Sequence, residues 1–467
     1  MRFIVFKSQQ LKANSQQPKK IKMKLENNII QYINDNKAKL LAGLPLFMQK
    51  IRQNAMHKFV KNGLPTQKDE KWRKTKLKSF TGRSYHPGIS DLYNNQLNWN
   101  ACIMPDVDAE ISLINGNFVA EKLINELPNG IIIGSLKMAV EKYPYLVEKY
   151  FDKLISKADN QINDLNTALF ADGLFVYVPK NVKEFKLQIT NRFDAKIDAL
   201  INMRSLIIVA ENATLDMVQC DDSNQHRSHF VTANTEVFMG ENAEMNWYKY
   251  QHVNSTTAVI SNHYYEVAKQ AKLYTNFMEL NGQLLRNEQF ADIVGSQAQV
   301  DLYGLYLVDK QQQTDNLIFV SHSAEGSYSN QKFKGILDDS ARGFFNGKIL
   351  VKQAAQQTNA FQKNDNILLT DKARISSQPF LEIYADDVSC SHGSTTGQID
   401  EEALFYIRQR GISKRDAQLL QLYAFVGEII DAIKLPELIE PTKDLVKKRL
   451  NGELDVCENC ILQCVNR

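Results

Sequence analysis

Asn212-Ala213-Thr214-Leu215-Asp216-Met217 returns as Asn242-Ala243-Glu244-Met245-Asn246-Trp247, then as Gln270-Ala271-Lys272-Leu273-Tyr274-Thr275 and Gln297-Ala298-Gln299-Val300-Asp301-Leu302. The alanines stand 30, 28 and 27 residues apart. After a longer gap comes Lys372-Ala373-Arg374-Ile375-Ser376-Ser377. Each unit is a polar residue, a small residue and then alternating polar and apolar side chains, the pattern of a strand leaving a tight corner. Self-similarity at such a period marks stacked coils rather than one closed sandwich. Each coil leaves an apolar face that only its neighbour can cover, so the repeat predicts a β-helix or similar solenoid. A jelly roll, with strands roughly every eight to twelve residues, is the alternative.

The β texture begins after Gly173. Before it, Asn28 to Ile33 and Leu40 to Val60 carry apolar residues at helical spacing, with Gly43 and Pro45 as breaks. Short apolar strands then alternate with the turns Asn115-Gly116 and Asn129-Gly130, and residues 134–172 read as helix. The organisation expected is a flexible tail over 1–24, a mixed helical domain over 25–172, a β-helix core over 173–398 and a C-terminal helical domain over 399–467. The class is mainly β with flanking α. A solenoid needs covered ends, because an exposed strand edge invites pairing. The helical segments cap part of this one, and the remaining edge is a natural place for a homologous subunit.

The core closes on Leu381-Glu382-Ile383-Tyr384-Ala385-Asp386-Asp387-Val388-Ser389-Cys390-Ser391-His392-Gly393-Ser394-Thr395-Thr396-Gly397-Gln398. Residues two apart on a strand share a face, so Cys390 and His392 look the same way. A thiolate beside an imidazole suits iron or zinc, and also a Cys–His nucleophilic pair. A half-buried Cys with a surface His is the bland alternative. The next stretch, Ile399-Asp400-Glu401-Glu402-Ala403-Leu404-Phe405-Tyr406-Ile407-Arg408-Gln409-Arg410-Gly411-Ile412, has an acidic start, an apolar run, basic residues near its end and a terminal Gly. That is a helix whose charges complement its dipole.

The run from Cys390 to Ile412 resembles the signature of the SufB/SufD family of iron–sulfur cluster assembly proteins. Cys390-Ser391-His392-Gly393 has the form of its SufD branch, where SufB typically carries Glu-His-Glu at the positions of Ser391-His392-Gly393. The likeness is strongest over about residues 320–430, including Ser329-Asn330-Gln331-Lys332-Phe333-Lys334-Gly335, Phe345-Asn346-Gly347-Lys348-Ile349 and the Gln/Asn-rich run 353–369. We read most of those Gln and Asn residues as corner residues bonding to open backbone groups. Near the start, Gly63-Leu64-Pro65 through Trp72-Arg73-Lys74-Thr75 is similar to a further family element. Its Trp reads as packing the helical region onto its neighbour rather than as a docking surface.

The resemblance implies a right-handed parallel β-helix core. It implies pairing with SufB through the two β-helices, and contact with the ATPase SufC through the C-terminal helices, where residues 413–433 form an amphipathic helix that also suits intramolecular capping. The complex assembles an iron–sulfur cluster for delivery to apoproteins, and a flavin is sometimes associated with it. By the same resemblance His392 is a cluster or iron ligand at the SufB interface, facing a cysteine from SufB, and Cys390 ligates or hands on sulfur. A purely structural subunit that positions SufB and SufC is the alternative. A Cys–His enzyme would need an orienting carboxylate, for which only Asp386 and Asp387 are near in sequence.

Composition sets the outer bounds. The chain has 467 residues, 43% hydrophobic and 23% charged, as in globular proteins, and no apolar run of membrane-spanning length. With 56 basic against 53 acidic residues, it has no overall electrostatic reason to bind nucleic acid. No G-x-x-x-x-G-K-[ST] loop and no G-x-G-x-x-G opening a helix is present, so any ATP hydrolysis falls to a partner. The first residues lack the apolar core of a secretory signal. Six cysteines in so long a chain are not a disulfide framework, which points to the cytoplasm. Cys457, Cys460 and Cys464 have spacing that would share a helix face; without a fourth ligand nearby they read as incidental thiols. His226, His229, His252, His263 and His322 follow no metal-binding spacing and read as structural.

Overall fold

The computed structural model describes residues 24–88, 106–119, 124–223 and 227–452. Its strands are β1 (Ala109–Ile114), β2 (Asn117–Val119), β3 (Ile124–Glu126), β4 (Ile132–Ser135), β5 (Gly173–Val178), β6 (Phe185–Phe193), β7 (Ala199–Val209), β8 (Thr214–Ser223), β9 (His229–Met239), β10 (Glu244–His252), β11 (Ala258–Val267), β12 (Lys272–Asn281), β13 (Leu284–Ile293), β14 (Gln299–Val308), β15 (Gln313–His322), β16 (Tyr328–Leu337), β17 (Arg342–Val351), β18 (Thr358–Leu368), β19 (Arg374–Ile383) and β20 (Val388–Gly397). From β5 onward odd-numbered strands build one sheet and even-numbered strands the other. Each lies parallel to the strand one coil earlier, so the chain is a parallel β-solenoid and not a jelly roll.

The repeat sits at one corner of each coil. Asn212, Asn242, Gln270 and Gln297 take φ of 58°, 55°, 57° and 58°. That left-handed conformation turns the chain sharply, and Asn tolerates it better than most side chains. Asn242 Nδ2 donates to Asn212 Oδ1 and Asn212 Nδ2 to Asn181 Oδ1, each at 3.1 Å, so the corners also bond along the stack. The alanine after each corner is buried, and the next strand begins in the even sheet. Lys372-Ala373 differs, because it opens β19 in the odd sheet. Buried alanines also lie beneath the turn on that side, at Ala341 and Ala373, so the pattern reveals a corner without revealing which one. In the even sheet the series continues through Gly326-Ser327 and Gln357-Thr358, which lack the alanine.

Inward residues stack in register: Leu215, Met245, Leu273 and Val300 form one file. Each such buried side chain is worth about 1.5–3 kcal/mol. Trp247, Phe277, Phe333 and Phe345 fill the wider middle. The lumen is not apolar throughout. Gln362, Asn364 and Asn366, expected at corners, lie within β18 and are buried. Their stretch is polar at every position, so alternation could not tell an inward face from a loop.

Helices cover the outer faces. α1 (Lys24–Leu41), α2 (Leu46–Asn62) and α3 (Lys78–Thr81) precede the strands, and α4 (Leu136–Lys142), α5 (Pro144–Tyr150) and α6 (Gln161–Leu169) lie between β4 and β5. Leu25, Ile29, Phe59, Phe80 and Leu165 pack on Leu200, Phe230, Ala258 and Leu284 of the odd sheet. Trp72 is buried as a packing residue, with the Arg286 guanidinium 3.8 Å from its ring centroid. After the solenoid come α7 (Glu401–Arg408), α8 (Lys414–Ile430) and α9 (Pro436–Asn451). Leu422, Val426, Ile429 and Leu445 close over Tyr248, Tyr274, Leu305 and Ile336 of the even sheet. The Asp400 side chain caps α7 by accepting from the Ala403 N–H, and Gly411 follows at φ 85°.

The two ends of the solenoid differ. At the N-terminal end β1 turns through Asn115-Gly116 into three-residue β2, and β4 pairs antiparallel with three-residue β3. Short antiparallel strands of this kind blunt an edge. At the other end, among the described residues, β19 and β20, ten residues each, pair on one side only.

Candidate functional site

The open end carries the residues singled out in the sequence. β20 pairs with β18 so that Cys390 stands opposite Ala360, His392 opposite Gln362 and Ser394 opposite Asn364. Ala360, Gln362 and Asn364 are buried in the lumen, so their three neighbours face inward as well. His392 is nevertheless exposed, because β20 is the last strand of its sheet among the described residues. Across the mouth the Ser394 hydroxyl donates to Ser377 of β19 at 2.8 Å. Cys390 and His392 therefore share one face, at the rim of a lumen.

Their environments differ. Cys390 packs with Ile349, Val351, Ala355, Leu381 and Ala385, and this burial pushes its thiol up from the usual value against a backbone hydrogen bond from Ala360. At neutral pH it is a thiol, and a metal must displace its proton to bind. Behind His392 the Gln362 amide bonds to Gln331, and Asn364 Nδ2 donates to Tyr306 Oη at 2.9 Å. Behind Cys390 lie Ala360 and Ser329, and Ser329 Oγ meets His322 Nε2 at 2.8 Å. Burial lowers His322 to about 4, so this imidazole stays neutral and structural. His229, His252 and His263 are also buried rather than at the surface.

Among the described residues, no three His, Cys, Asp or Glu side chains gather as a metal site. Asp386 and Asp387 sit at the corner before β20. From Asp387 to His392 the strand rises roughly 16 Å, beyond hydrogen-bond reach, so these carboxylates do not orient the imidazole. Cys102, His226, Cys457, Cys460, Cys464 and the tail before Lys24 lie outside the described residues. Ser377, Ser394 and Gln362 join the mouth without having been singled out. Period-two alternation from His392 would have found Ser394, but its partner Ser377 depends on how two sheets face each other.

The core-domain model of SUF-system iron–sulfur cluster assembly, the SufBD core domain, matches residues 191–425, and the SufBD N-terminal region matches residues 23–189. The chain belongs to the SufBD family. An iron–sulfur cluster assembly SufBD family protein of Synechocystis is 29% identical over 85% of this chain and 87% of its own length. The iron–sulfur cluster assembly protein SufD of Escherichia coli is 26% identical over 86% of this chain and 92% of its own. SufD of Bacillus subtilis is 26% identical over 69% and 74%. The match to the SufBD core takes in the whole of β20 and α7, so the mouth lies inside the family's defining region. Among the described residues no helix is long and apolar enough to cross a membrane.

Proposed function

We propose that this chain is a scaffold subunit of the SUF machinery that pairs with SufB through its open solenoid end and works with the ATPase SufC to build and transfer iron–sulfur clusters. The observation that carries this reading is the inward-facing Cys390 and His392 at the rim of the uncapped last coil. Two donors are too few to hold a cluster, and a second solenoid seated on the same edge would bring the rest. His392 is the principal iron or cluster ligand, since its imidazole is exposed and binds metal in its neutral form. Cys390 is second, because it must first lose a proton. Mixed thiolate and imidazole ligation carries less negative charge than four thiolates, which suits a cluster that must leave for an apoprotein.

SufC docks on the C-terminal helices. The packed side of α8 covers the even sheet and leaves Leu420 48% exposed, whereas α7 leaves Phe405 64% and Tyr406 63% exposed. The surface offered to SufC is therefore on α7. A second reading, a purely structural subunit, draws support from the raised Cys390 thiol. Co-purification with SufB and SufC, followed by anaerobic addition of iron and sulfide, tests the proposal. An absorption spectrum of a bound cluster supports it, and a complex that forms but takes up no iron leaves the structural role.

A further inference from the structure

The coils bond to one another with a fixed polarity. In the even sheet Glu244 N donates to Ala213 O, Lys272 N to Ala243 O, Gln299 N to Ala271 O and Tyr328 N to Ala298 O. In the odd sheet Arg342 N donates to Gln312 O and Arg374 N to Ala341 O. In each case a residue with an outward side chain reaches back to the preceding coil, and the carbonyl it meets points forward. Along a parallel strand the N–H and C=O of one residue point to the same side, and that side alternates with the side chain. The inward-facing residues of the last coil therefore aim both backbone groups at the open end. On β20 these are Val388, Cys390, His392, Ser394 and Thr396; on β19 they are Ile375, Ser377, Pro379, Leu381 and Ile383.

Pro379 breaks the equivalence of the two edges. It has no N–H, and its ring occupies the place where a neighbouring strand would bond. The β17–β19 register runs unbroken across it, from Asn346↔Gln378 to Lys348↔Phe380, as it must if the proline nitrogen faces outward from the stack. β20 has no proline, and its outward side chains, Ser389, Ser391, Gly393, Thr395 and Gly397, are small enough to leave the edge flat. β19 instead presents Phe380, 54% exposed, and is followed by exposed Tyr384, which donates to Glu382 while Glu382 pairs with Lys348.

We propose that an incoming strand adds to β20 and not to β19, so that one sheet continues into the partner while the other stops at Pro379 and is closed by side-chain packing on Phe380 and Tyr384. This rests on the reading that a second solenoid covers the open end, and the occupant is the edge strand of that solenoid. Joined this way, the strand carrying Cys390 and His392 becomes internal to a sheet shared by two chains.

Hydrogen exchange on the full chain, alone and mixed with purified SufB, tests the assignment. Amides of Cys390, His392 and Ser394 should slow at least tenfold in the complex, while those of Ile375, Ser377, Leu381 and Ile383 keep their rates. Ser394→Pro removes one open-edge donor without touching the β18 ladder and should weaken SufB binding at least a hundredfold. Ser394→Ala and Pro379→Ala should stay within threefold of the parent. Equal or greater protection on β19, or a folded Ser394→Pro chain that binds as the parent does, overturns the strand assignment and leaves pairing intact. If the parent chain forms no complex with SufB, the pairing reading falls and takes this inference with it.

Discussion

The Arg286 guanidinium lies over the Trp72 ring, 3.8 Å from its centroid, and joins the N-terminal segment to the side of the solenoid. Arg286 is fully buried and pairs with Glu288 at 2.6 Å and Asp315 at 3.3 Å, and Thr75 Oγ1 donates to Asp315 at 2.5 Å. Removing the indole would leave a cavity beside a buried cation. Trp72→Ala should lower stability by about 3–5 kcal/mol. A chemical-denaturation midpoint measures it, and a loss within 1 kcal/mol would mean that the segment is only loosely attached.

Glu279 is buried in the lumen, and that burial raises its carboxyl to about 8 despite hydrogen bonds from Asn287 and Asn316. It is neutral in the fold at pH 6. A raised value favours the protonated native state, so its contribution is fully present below about pH 4.5 and is lost as pH rises through about 8. Glu279→Gln, which cannot ionise, should be more stable than the parent at pH 9 by about 2–5 kcal/mol. The advantage should shrink toward pH 5. Thermal melts across that range check it, and a pH-independent difference would contradict it.

Glu428 holds α8 to β16 from the opposite direction. Hydrogen bonds from Lys332 and Lys334 pull its carboxyl down to about 2. A lowered value means stability present above about pH 4.5 and lost as pH falls through about 2. The Glu428 side chain is 42% exposed, so screening limits the pair to about 1 kcal/mol or less. Glu428→Gln should lower the melting temperature by about 1 °C at pH 7, a difference that shrinks as pH falls through about 2.

The repeat made the solenoid legible because its alanines mark a buried position that recurs once per coil at the same corner. The lumen near the mouth was not legible in the same way. Gln362, Asn364 and Asn366 look like loop residues unless the strand on either side is known to be enclosed. Cys390 and His392 could be placed on one face by spacing alone, and the structure puts them there. The exposure of His392 depends on β20 being last in its sheet among the described residues, which is a property of the whole stack. Pro379 was visible as a residue but had no meaning until the direction of each N–H was known.

Phe405 and Tyr406 test the docking of SufC. Both are mostly exposed, so Phe405→Ala with Tyr406→Ala should change stability by less than about 0.5 kcal/mol. SufC binding should weaken at least tenfold by calorimetry. Deleting α8 is a poorer test, because it uncovers Tyr248, Leu305 and Ile336 and unsettles the solenoid itself. Unchanged SufC affinity in the folded double variant would place the docking surface elsewhere.

The central claim is that His392 binds the cargo rather than the fold. Its side chain sits at an exposed rim, so His392→Ala should fold and assemble with SufB and SufC as the parent does. The measurement is iron and sulfide bound per assembled complex after anaerobic reconstitution, followed by transfer to an apo-ferredoxin. The account predicts a complex of normal composition that binds less than about a tenth of the parent's iron, a loss at least as large as the tenfold or more that losing even a ligand's hydrogen-bond partner brings, and that fails to mature the ferredoxin, with Cys390→Ser milder. A His392→Ala complex that loads iron and matures ferredoxin at the parent rate would contradict it and leave the chain a structural subunit.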